Sequence, residues 1–481
     1  MKYSIINFTK LNEELRIDSD FFKPEYLKIY NTLIKLGNVR SFGTLTDEIK
    51  CGPFGSTILN STYTKSGITV ARPFNISNYK LGDEDIVYIS KEDFVSKRLT
   101  SFHNGDILFS RVGDVRVGIV PYTYDTITIS PNVIGVKVNK KKVSSYYATI
   151  FFNTQYGLKQ IEREQKIVAQ PTIPTALVNR LKIPLATTDF QKLIEKIFID
   201  SITKEIKLTK LYESAERVLI EELELKDWHP KNKLSNIKSF KEVENSKRFD
   251  AEYFQSKYDE LKEIVFKYST KTLGDEFQLL SGKNFKYVDD GTVGVVKTKQ
   301  VINTNVNYEN IESTTSKDVV NESKLFTLED RDVLFASMGV GSLGRSCIAY
   351  AFETKDLNDY TIDSTLYIFR QKKDSNLTPE VLDIYLSSVI GQELIYQNIV
   401  GSSGIINIYR DYISSIPIPD KISRKAADTI TQLIRESHMN RLRSKKLLEI
   451  AKKGVEMAIE ENEKSAEEWI KYELNKLQIT I

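Results

Sequence analysis

The chain has 481 residues, of which 41% are hydrophobic and 28% charged, a composition typical of a soluble protein with about two to four domains. No apolar run approaches the length that crosses a bilayer, and the N-terminus lacks the apolar core of a signal peptide, so we expect a cytoplasmic protein. Two cysteines and three histidines without metal-ligand spacing argue against disulfides and structural zinc, and a net charge of +3 permits nucleic-acid binding without requiring it.

The first predicted element is a helix introduced by "RIDSDFF" at residues 16–22, an opening that returns as "RFDAEYF" at 248–254, at an offset of 232. The paired residues are Arg16 and Arg248, Asp18 and Asp250, and Phe22 and Phe254. We expect the arginine to be structural, the aspartate to cap the helix and the phenylalanine to anchor it in the core.

Further matches between the two parts of the chain keep the same order. The segment "GDILFSRVGDVRVG" (105–118) corresponds to "RDVLFASMGVGSLG" (331–344), and "LKIPL" (181–185) corresponds to "IPIPD" (416–420). The offset drifts by a few residues between them, as insertions in surface loops would allow. We therefore interpret the chain as a diverged tandem duplication.

Each copy begins strand-rich and ends helical. Residues 40–185 contain short runs of Val, Ile, Tyr and Thr between glycines, which predict strands and tight turns. Residues 189–225 contain neither Gly nor Pro and predict one long helix, with Asp189 available as its cap. Steps of four and three residues from Phe190 reach eight apolar residues in eleven positions, a seam for a second helix.

The helix of the second copy repeats this seam at an offset of 236, and both seams become polar at the same step. The polar seam residues are Ser201 and Lys204 in the first helix and Ser437 and Asn440 in the second. Single polar seam residues fix the register of paired helices, which is our interpretation of these four. The alternative is a hydrophilic patch on two frayed helices.

A Lys- and Asn-rich stretch at 226–248, containing Pro230, is a plausible connector between the copies. The predicted fold is therefore α+β: two tandem globules of mixed, strand-rich α/β content, separated by two long antiparallel helices that form a coiled coil. Helices of about 37 residues would extend about 55 Å.

The repeated openings, the "GDILFSRVG" and "RDVLFASMG" segments and the "IP" pairs before each long helix resemble the specificity subunit of Type I restriction-modification systems. The resemblance implies two target recognition domains, and it covers nearly the whole chain. The implied parts are a first recognition domain (1–185), a first spacer helix (186–226), a connector (227–247), a second recognition domain (248–420) and a second spacer helix with a C-terminal tail (421–481).

In that family the recognition domains each read one half of a bipartite target in double-stranded DNA, and the helices set the spacer. Because the two copies have diverged, we expect an asymmetric target. The resemblance implies two modification (methyltransferase) subunits and restriction/translocase subunits as partners. S-adenosylmethionine, ATP and Mg would then belong to those partners, and this chain would bind no cofactor and catalyse no reaction.

Candidate DNA-binding residues have side chains that donate to bases or phosphates, in glycine-containing or polar segments. In the first copy they are Lys50, Ser56, Thr57, Arg72, Asn75, Asn78, Arg111 and Arg116. In the second copy they are Lys283, Asn284, Lys286, Lys297, Lys299 and Gln300. Alignment places Arg72 opposite Lys297. For each of these residues, a solvated surface position is the alternative interpretation.

Three other motifs indicate chemistry only weakly. "GVGSLG" (339–344) fits a dinucleotide-binding loop, but a strand rather than a helix is predicted after it, so a glycine turn between two strands is favoured. Glu48 and Lys50 could belong to a nuclease site, but no acidic partner is visible. No Asn- or Asp-Pro-Pro-aromatic tetrapeptide of an amino-methyltransferase is present.

Other functions compatible with the sequence are methylation-only specificity, another phage-defence assembly, a coiled-coil scaffold whose globules bind protein, and an enzyme built on "GVGSLG". A steep loss of affinity with salt would separate a DNA reader from a scaffold.

Overall fold

The computed structural model describes residues 19–53, 57–77, 79–165, 172–226, 228–231, 233–302, 305–321, 324–401 and 406–479. The chain divides into two compact units. Unit 1 consists of Met1–Lys204 and Arg443–Ile481, and unit 2 of Glu205–Leu442.

The described residues contain two long helices and a set of shorter ones. In chain order the helices are α1 (Pro24–Lys35), α2 (Lys91–Ser96), α3 (Ser145–Phe152), α4 (Gln155–Glu164), α5 (Thr175–Arg180), α6 (Thr188–Glu222), α7 (Phe240–Ser246), α8 (Ser256–Tyr268), α9 (Leu273–Glu276), α10 (Pro379–Ser387), α11 (Val389–Gln397), α12 (Arg410–Ser414), α13 (Arg424–Glu460) and α14 (Glu463–Lys476).

The strands are short and fall into two groups. Those of unit 1 are β1 (Val39–Ser41), β2 (Thr46–Cys51), β3 (Ile68–Ala71), β4 (Tyr79–Lys80), β5 (Val87–Ile89), β6 (Ile107–Ser110), β7 (Val117–Ile119), β8 (Ile127–Ile129), β9 (Val133–Val138) and β10 (Lys182–Pro184). Those of unit 2 are β11 (Lys271–Thr272), β12 (Phe277–Ser281), β13 (Val293–Val296), β14 (Val301–Ile302), β15 (Asn305–Val306), β16 (Ser313–Thr314), β17 (Val320–Asn321), β18 (Lys324–Leu325), β19 (Asp332–Ala336), β20 (Ser346–Ala349), β21 (Tyr360–Ile362), β22 (Leu366–Gln371) and β23 (Pro417–Ile418).

The two units share one sheet topology. The main sheet has the order β2-β9-β6-β7-β4 in unit 1 and β12-β22-β19-β20 in unit 2. A second sheet has the order β5-β3-β8 in unit 1 and β16-β13-β21 in unit 2, and its last pair is parallel in both. A short antiparallel pair, β1 with β10 and β11 with β23, completes each unit. The α+β fold class is therefore confirmed, with two strand-rich globules and two long helices.

The repeat extends to the register of individual strands. In unit 1, Ile107 lies opposite Val136, and in unit 2 Val333 lies opposite Phe369. At the other end of the same pairs, Ser110 lies opposite Val133 and Ala336 opposite Leu366. The residues of β19 follow the matching residues of β6 by 226 positions, and those of β22 follow the matching residues of β9 by 233 positions. Since a one-residue slip would turn every side chain to the wrong face, this agreement shows that both units retain one core pattern.

The "GVGSLG" segment forms the turn of a β-hairpin. It connects β19 to β20, which pair antiparallel. Gly339, Gly341 and Gly344 have φ of 101°, 78° and 88°, a left-handed backbone that favours glycine. Because a strand follows the turn, no helix N-terminus is available to hold a pyrophosphate, and the predicted glycine turn is confirmed.

In unit 1, the start of α6 packs antiparallel to the end of α13, and it lies beside the start of α14. Thr187 caps α6: its hydroxyl accepts from the amide of Phe190 at 3.4 Å. The carboxylate of Glu463 accepts from the amide of Thr187 at 3.0 Å and from its hydroxyl. A carboxylate at this position complements the positive end of the helix dipole. The prediction that Asp189 caps this helix is wrong, because Asp189 already lies within the first turn.

In unit 2, the end of α6 packs antiparallel to the start of α13 in a related way. Glu222 accepts a hydrogen bond at 2.7 Å from the amide of Ser423, which precedes α13. The hydroxyl of Ser437 donates to the carbonyl oxygen of Leu208 at 3.1 Å. In unit 1 the corresponding bond joins the hydroxyl of Ser201 to the carbonyl oxygen of Ser444, also at 3.1 Å. These positions match at the offset of 236, so each unit makes the same contact between its helices.

The four predicted seam residues therefore behave in two ways. Ser201 and Ser437 are buried and bond across the helix pair. Lys204 instead pairs with Asp200, and the amide group of Asn440 donates to the carbonyl of Glu436, each one turn earlier in the same helix. The register role of all four residues stays a prediction, and the contacts across the helix pair support it for the two serines only.

The repeated opening is described in full only in the second copy, because Arg16 and Asp18 lie outside the described residues. Helix α8 begins at Ser256, so the prediction that Asp250 caps it is wrong. Asp250 instead accepts from the amide of Tyr253 at 3.0 Å and pairs with Arg248 at 2.6 Å. Arg248 also donates to the carbonyl of Ile399 at 3.0 Å, which agrees with its predicted structural role.

Unit 2 contains a buried polar network between α6 and α10. The carboxylate of Asp383 is fully buried and accepts from the hydroxyl of Tyr212 at 2.6 Å and from that of Ser346 at 2.7 Å. Burial raises the pKa of Asp383, although both hydrogen bonds oppose that rise. Burial and the nearby carboxylate raise the pKa of Tyr212, so its hydroxyl remains a donor. The network fixes α6 to the globular part of unit 2.

Candidate nucleic-acid interface

A short turn after the first strand of the smaller sheet carries two of the candidate residues in unit 1. Strand β3 leads through Arg72 into a 3-10 turn at Pro73–Asn75. The side-chain oxygen of Asn75 accepts from the amide of Arg72 at 3.1 Å, and its amide group donates to the carbonyl of Glu84 at 2.6 Å. The guanidinium of Arg72 donates to the carbonyl of Asp85. Asn75 is buried and holds the turn closed.

Unit 2 builds the same turn from different residues. Strand β13 leads through Lys297 into the 3-10 turn Thr298–Gln300, and the side-chain oxygen of Gln300 accepts from the amide of Lys297 at 3.1 Å. Gln300 is buried, as Asn75 is. The structure therefore places Arg72 and Lys297 at equivalent positions, as the alignment predicted.

The cationic side chains and the amide side chains of the two turns differ in their availability for contacts with DNA. The side chains of Asn75 and Gln300 are engaged by backbone groups and shielded from solvent, so base contacts would require the turns to open. We therefore withdraw both residues from the proposed interface. Phe74, at the tip of the first turn, is 57% exposed, and its counterpart by position is Lys299. An aromatic ring in a charged turn was a visible signal that the sequence analysis did not use.

The turn of unit 2 presents two ammonium groups to one carboxylate. Lys297 bonds to Glu312 and lies 3.8 Å from the ring centroid of Tyr287, while Lys299 lies 3.7 Å from the same carboxylate and is 61% exposed. Desolvation opposes the charge on Lys297, but the hydrogen bonds and electrostatic attraction of Glu312 and Tyr287 together outweigh it and raise the pKa of Lys297. The same bond lowers the pKa of Glu312. Neither Glu312 nor Tyr287 was a sequence candidate, because partners ten to fifteen residues away leave no local pattern.

The remaining candidates of unit 2 lie on the segment between β12 and β13. The side-chain oxygen of Asn284 accepts from the hydroxyl of Ser364 at 2.6 Å, and Lys283 forms a parallel β-bridge with Asp363. Lys286 is exposed, and its carbonyl accepts from the hydroxyl of Thr314 at 2.9 Å. Because Thr314 and Glu312 are close in sequence at β16, Lys286 and the lysines of the turn are held by neighbouring residues.

Around Pro131 in unit 1, the structure brings two candidate segments together. The guanidinium of Arg111 donates to the carbonyl of Pro131 at 3.5 Å, and the thiol of Cys51 donates to the same oxygen at 3.1 Å. Burial raises the pKa of Cys51, and the charge of Arg111 opposes that rise. Lys50 precedes Cys51 on β2, and successive side chains of a strand point to opposite faces, so this contact does not place Lys50 beside Arg111.

Lys50 is paired in the described structure. Its ammonium lies 2.6 Å from Glu48, which also pairs with Lys137 at 2.8 Å. Hydrogen bonds from both lysines lower the pKa of Glu48. The carboxylate is thus occupied by two cations, as expected of a structural ion pair. Arg116 contacts Asp114 at 3.9 Å.

Three candidates contribute less to the site as described. Ser56 and Asn78 lie outside the described residues. Thr57 is half-buried.

Two glycines lie close to backbone carbonyls of the same chain. A Cβ at Gly52 would overlap the carbonyl of Ser130, and a Cβ at Gly282 would overlap the carbonyl of Asp363. Gly52 and Gly282 therefore serve the packing of the strands and not an approach to DNA.

Over the described ranges, His, Cys, Asp and Glu nowhere form a group of three that could hold a metal ion. The helices described above also include none that is long and apolar enough to span a bilayer.

No protein-family model matches the chain, and no curated protein matches it. Among solved structures, it is similar to a Type-I restriction-modification system S subunit from M. genitalium, with 13% identity, a TM-score of 0.43, and coverage of 86% of this chain and 93% of that chain. It is also similar to an HsdS subunit from Thermoanaerobacter tengcongensis, with 12% identity, a TM-score of 0.29, and coverage of 88% and 96%. A type I R-M system structure matches with 12% identity, a TM-score of 0.27, and coverage of 91% and 96%. Since these TM-scores lie below 0.5, the similarities carry no argument about function.

Proposed function

We propose that this chain is the DNA sequence-specificity subunit of a Type I restriction-modification complex, and that it reads an asymmetric, bipartite target. The observation that supports this most is the repeat: two units with one sheet topology and one strand register carry a cation at the same turn. A protein that keeps one scaffold twice and changes its exposed turns is suited to reading two different sites.

The chemistry of the two turns supports different readings of DNA. Unit 1 offers one guanidinium, Arg72, and, two residues further along the chain, the exposed ring of Phe74. Unit 2 offers two ammonium groups, Lys297 and Lys299, near Tyr287. Arginine makes bidentate contacts with guanine or phosphate, whereas lysine acts as a point charge. Two half-sites of different sequence are therefore expected.

The role proposed for α6 and α13 is to set the distance between the half-sites and to dock modification subunits. With 35 and 37 residues, these helices have lengths of about 50 to 55 Å at 1.5 Å per residue. Deleting seven residues, about two turns, from each helix should shorten the unread spacer or abolish activity. An unchanged spacer in an active deletion variant would contradict this role.

Catalysis is assigned to partner subunits in this proposal. The methyltransferase subunits would bind S-adenosylmethionine, and the restriction/translocase subunits would use ATP and Mg. In this chain, the one dinucleotide-like motif is a hairpin turn.

The test is co-expression of the full chain with the methyltransferase subunit encoded beside it, followed by mapping of modified bases across the host genome. The proposal predicts a new, split, asymmetric motif with a fixed gap. Exchanging residues 40–185 for the equivalent domain of another reader should change one half of that motif only. No new motif in an assembled complex would refute the proposal.

Salt dependence separates this function from a protein-binding scaffold. Phosphate contacts release counterions, so the logarithm of DNA affinity should fall linearly with the logarithm of salt concentration. A scaffold whose globules bind protein would show no such DNA binding at any salt concentration.

A further inference from the structure

We propose that residues 233–249, here named the connector segment, form a docking surface for a protein partner with an apolar groove rimmed by carboxylates. This inference rests on the proposed function, under which that partner is the modification subunit. The surface is separate from the two long helices and from the candidate DNA-binding turns.

The connector segment exposes large apolar side chains almost completely. The relative exposures are 110% for Leu234, 96% for Ile237, 77% for Phe240 and 83% for Phe249. Single exposed apolar residues are ordinary, but four within sixteen residues concentrate apolar surface in one segment, as protein interfaces do. None of the four contributes to the core of unit 2.

Three polar side chains of the same segment bond to the rest of unit 2. Lys238 pairs with Asp259 at 2.7 Å, and Lys233 with Glu260 at 3.2 Å, both on α8. The side-chain amide of Asn236 donates to the carbonyl of Phe254 at 2.7 Å. The usual amphipathic arrangement is thus reversed: ion pairs and hydrogen bonds attach the segment, and its apolar residues point outward.

The charge of the segment indicates the chemistry of its partner. It carries five Lys or Arg residues and two Glu. Lys241 and Lys247 are exposed and form no ion pair with any residue in the described ranges. Two unpaired cations beside an apolar patch are complementary to an apolar groove with an acidic rim. A second copy of this chain fits less well, because equal charges would meet.

The sequence repeat gives a further argument for a function of the apolar residues. Ile5, Phe8 and Ile17 precede Ile237, Phe240 and Phe249 by 232 residues, although the first three lie outside the described residues. An apolar side chain that stays in solvent adds nothing to the hydrophobic stability of the fold. For the exposed apolar residues of the connector segment, a contact to another molecule is therefore a better explanation than a folding role.

The test uses the full chain and the methyltransferase subunit encoded beside it. The variant carries Leu234→Ser, Ile237→Ser and Phe240→Ser, and the matched control carries Phe266→Ser, Val340→Ser and Val389→Ser, which are also exposed apolar residues of unit 2. We expect the connector variant to bind the subunit at least about tenfold more weakly, and the control to bind within about twofold of the unchanged chain.

Two further measurements complete the test. The unfolding midpoint of unit 2 and the affinity for DNA should be unchanged in the connector variant, because the substituted side chains lie outside the core and outside the proposed DNA interface. Lys241→Glu alone should also weaken binding of the subunit, by roughly two- to fivefold, by placing a negative charge against an acidic rim.

Four outcomes would overturn the docking proposal. Equal binding of the subunit by variant and unchanged chain would refute it and leave the proposed function intact. Loss of self-association, or loss of binding to vesicles containing anionic phosphatidylserine, with subunit affinity preserved, would assign the patch to a second copy or to a membrane. If the unchanged chain binds no methyltransferase subunit, the proposed function fails, and the docking proposal fails with it.

Discussion

Substituting Tyr212 by phenylalanine removes one of the two hydroxyl groups that donate to the buried carboxylate of Asp383. A hydrogen bond to a charged group contributes about 1.5 to 3 kcal/mol, and one between neutral groups about 1 kcal/mol. Tyr212→Phe should therefore lower the free energy of unfolding of unit 2 by about 2 kcal/mol when Asp383 is ionised.

Tyr385→Phe is the matched control in the same unit. The hydroxyl of Tyr385 is also fully buried, but it donates to the neutral carbonyl of Pro417 at 2.7 Å. The same atom is deleted from the same residue type, and the acceptor is a neutral carbonyl instead of a carboxylate. Its expected cost is about 1 kcal/mol, without a pH dependence of its own.

The pH dependence follows from the raised pKa of Asp383. The folded state binds the proton more tightly than the unfolded state, so the stability contribution of this carboxyl falls as the pH rises from its ordinary range through the raised pKa. Removing a donor to the charged form raises that pKa further. The cost of Tyr212→Phe should consequently be larger above the raised pKa of Asp383 than below it, whereas the cost of Tyr385→Phe should be the same on both sides.

Each unit contains one tryptophan, which allows the units to be measured separately. Trp228 packs against the core of unit 2, and Trp469 lies on α14 of unit 1. In a Trp469→Phe background, urea unfolding followed by fluorescence reports unit 2 alone. Equal costs for the two tyrosine substitutions, or a cost of Tyr212→Phe that does not change with pH, would show that Asp383 is not a charged acceptor.

Two other substitutions address the turn and the packing. Lys299→Gln should reduce the slope of log DNA affinity against log salt concentration by about 0.9, the contribution of one phosphate contact. The control Lys373→Gln, at an exposed lysine, should leave the slope unchanged. Equal slopes for the two variants would show that Lys299 does not contact DNA. Gly282→Ala should destabilise unit 2 by about 1 to 3 kcal/mol, because the new methyl group overlaps a backbone carbonyl. The unfolding transition reported by Trp228 fluorescence should therefore shift, and the one reported by Trp469 should not.

The features that sequence predicted well are those with a long repeat or a strong local signal. The duplication survives as an identical strand register, because both copies must bury the same alternating faces. The polar step in the helix seams placed Ser201 and Ser437 correctly at buried contacts. "GVGSLG" was correctly predicted as a turn, because the strand after it is a local pattern.

The features that sequence could not predict depend on distant partners. The start of α6 is capped by Thr187 and receives Glu463, a residue 276 positions away, so no local pattern distinguishes it from the neighbouring Asp189. Asn75 and Gln300 have the side chains of base readers, but burial assigns their amides to the turns. Donor type indicates what a side chain can bind, and only the fold shows whether it is available.

The two hairpins that share one register differ in their turns. Phe109 pairs with Val117 in unit 1, and Phe335 pairs with Ser346 in unit 2, so the second turn is three residues longer while the strands beside it stay aligned. Val340, in that longer turn, is 70% exposed. The three additional residues in the turn of unit 2 therefore leave the sheet undisturbed. The turn is accordingly a natural position for a peptide tag or a fluorophore that reports on unit 2.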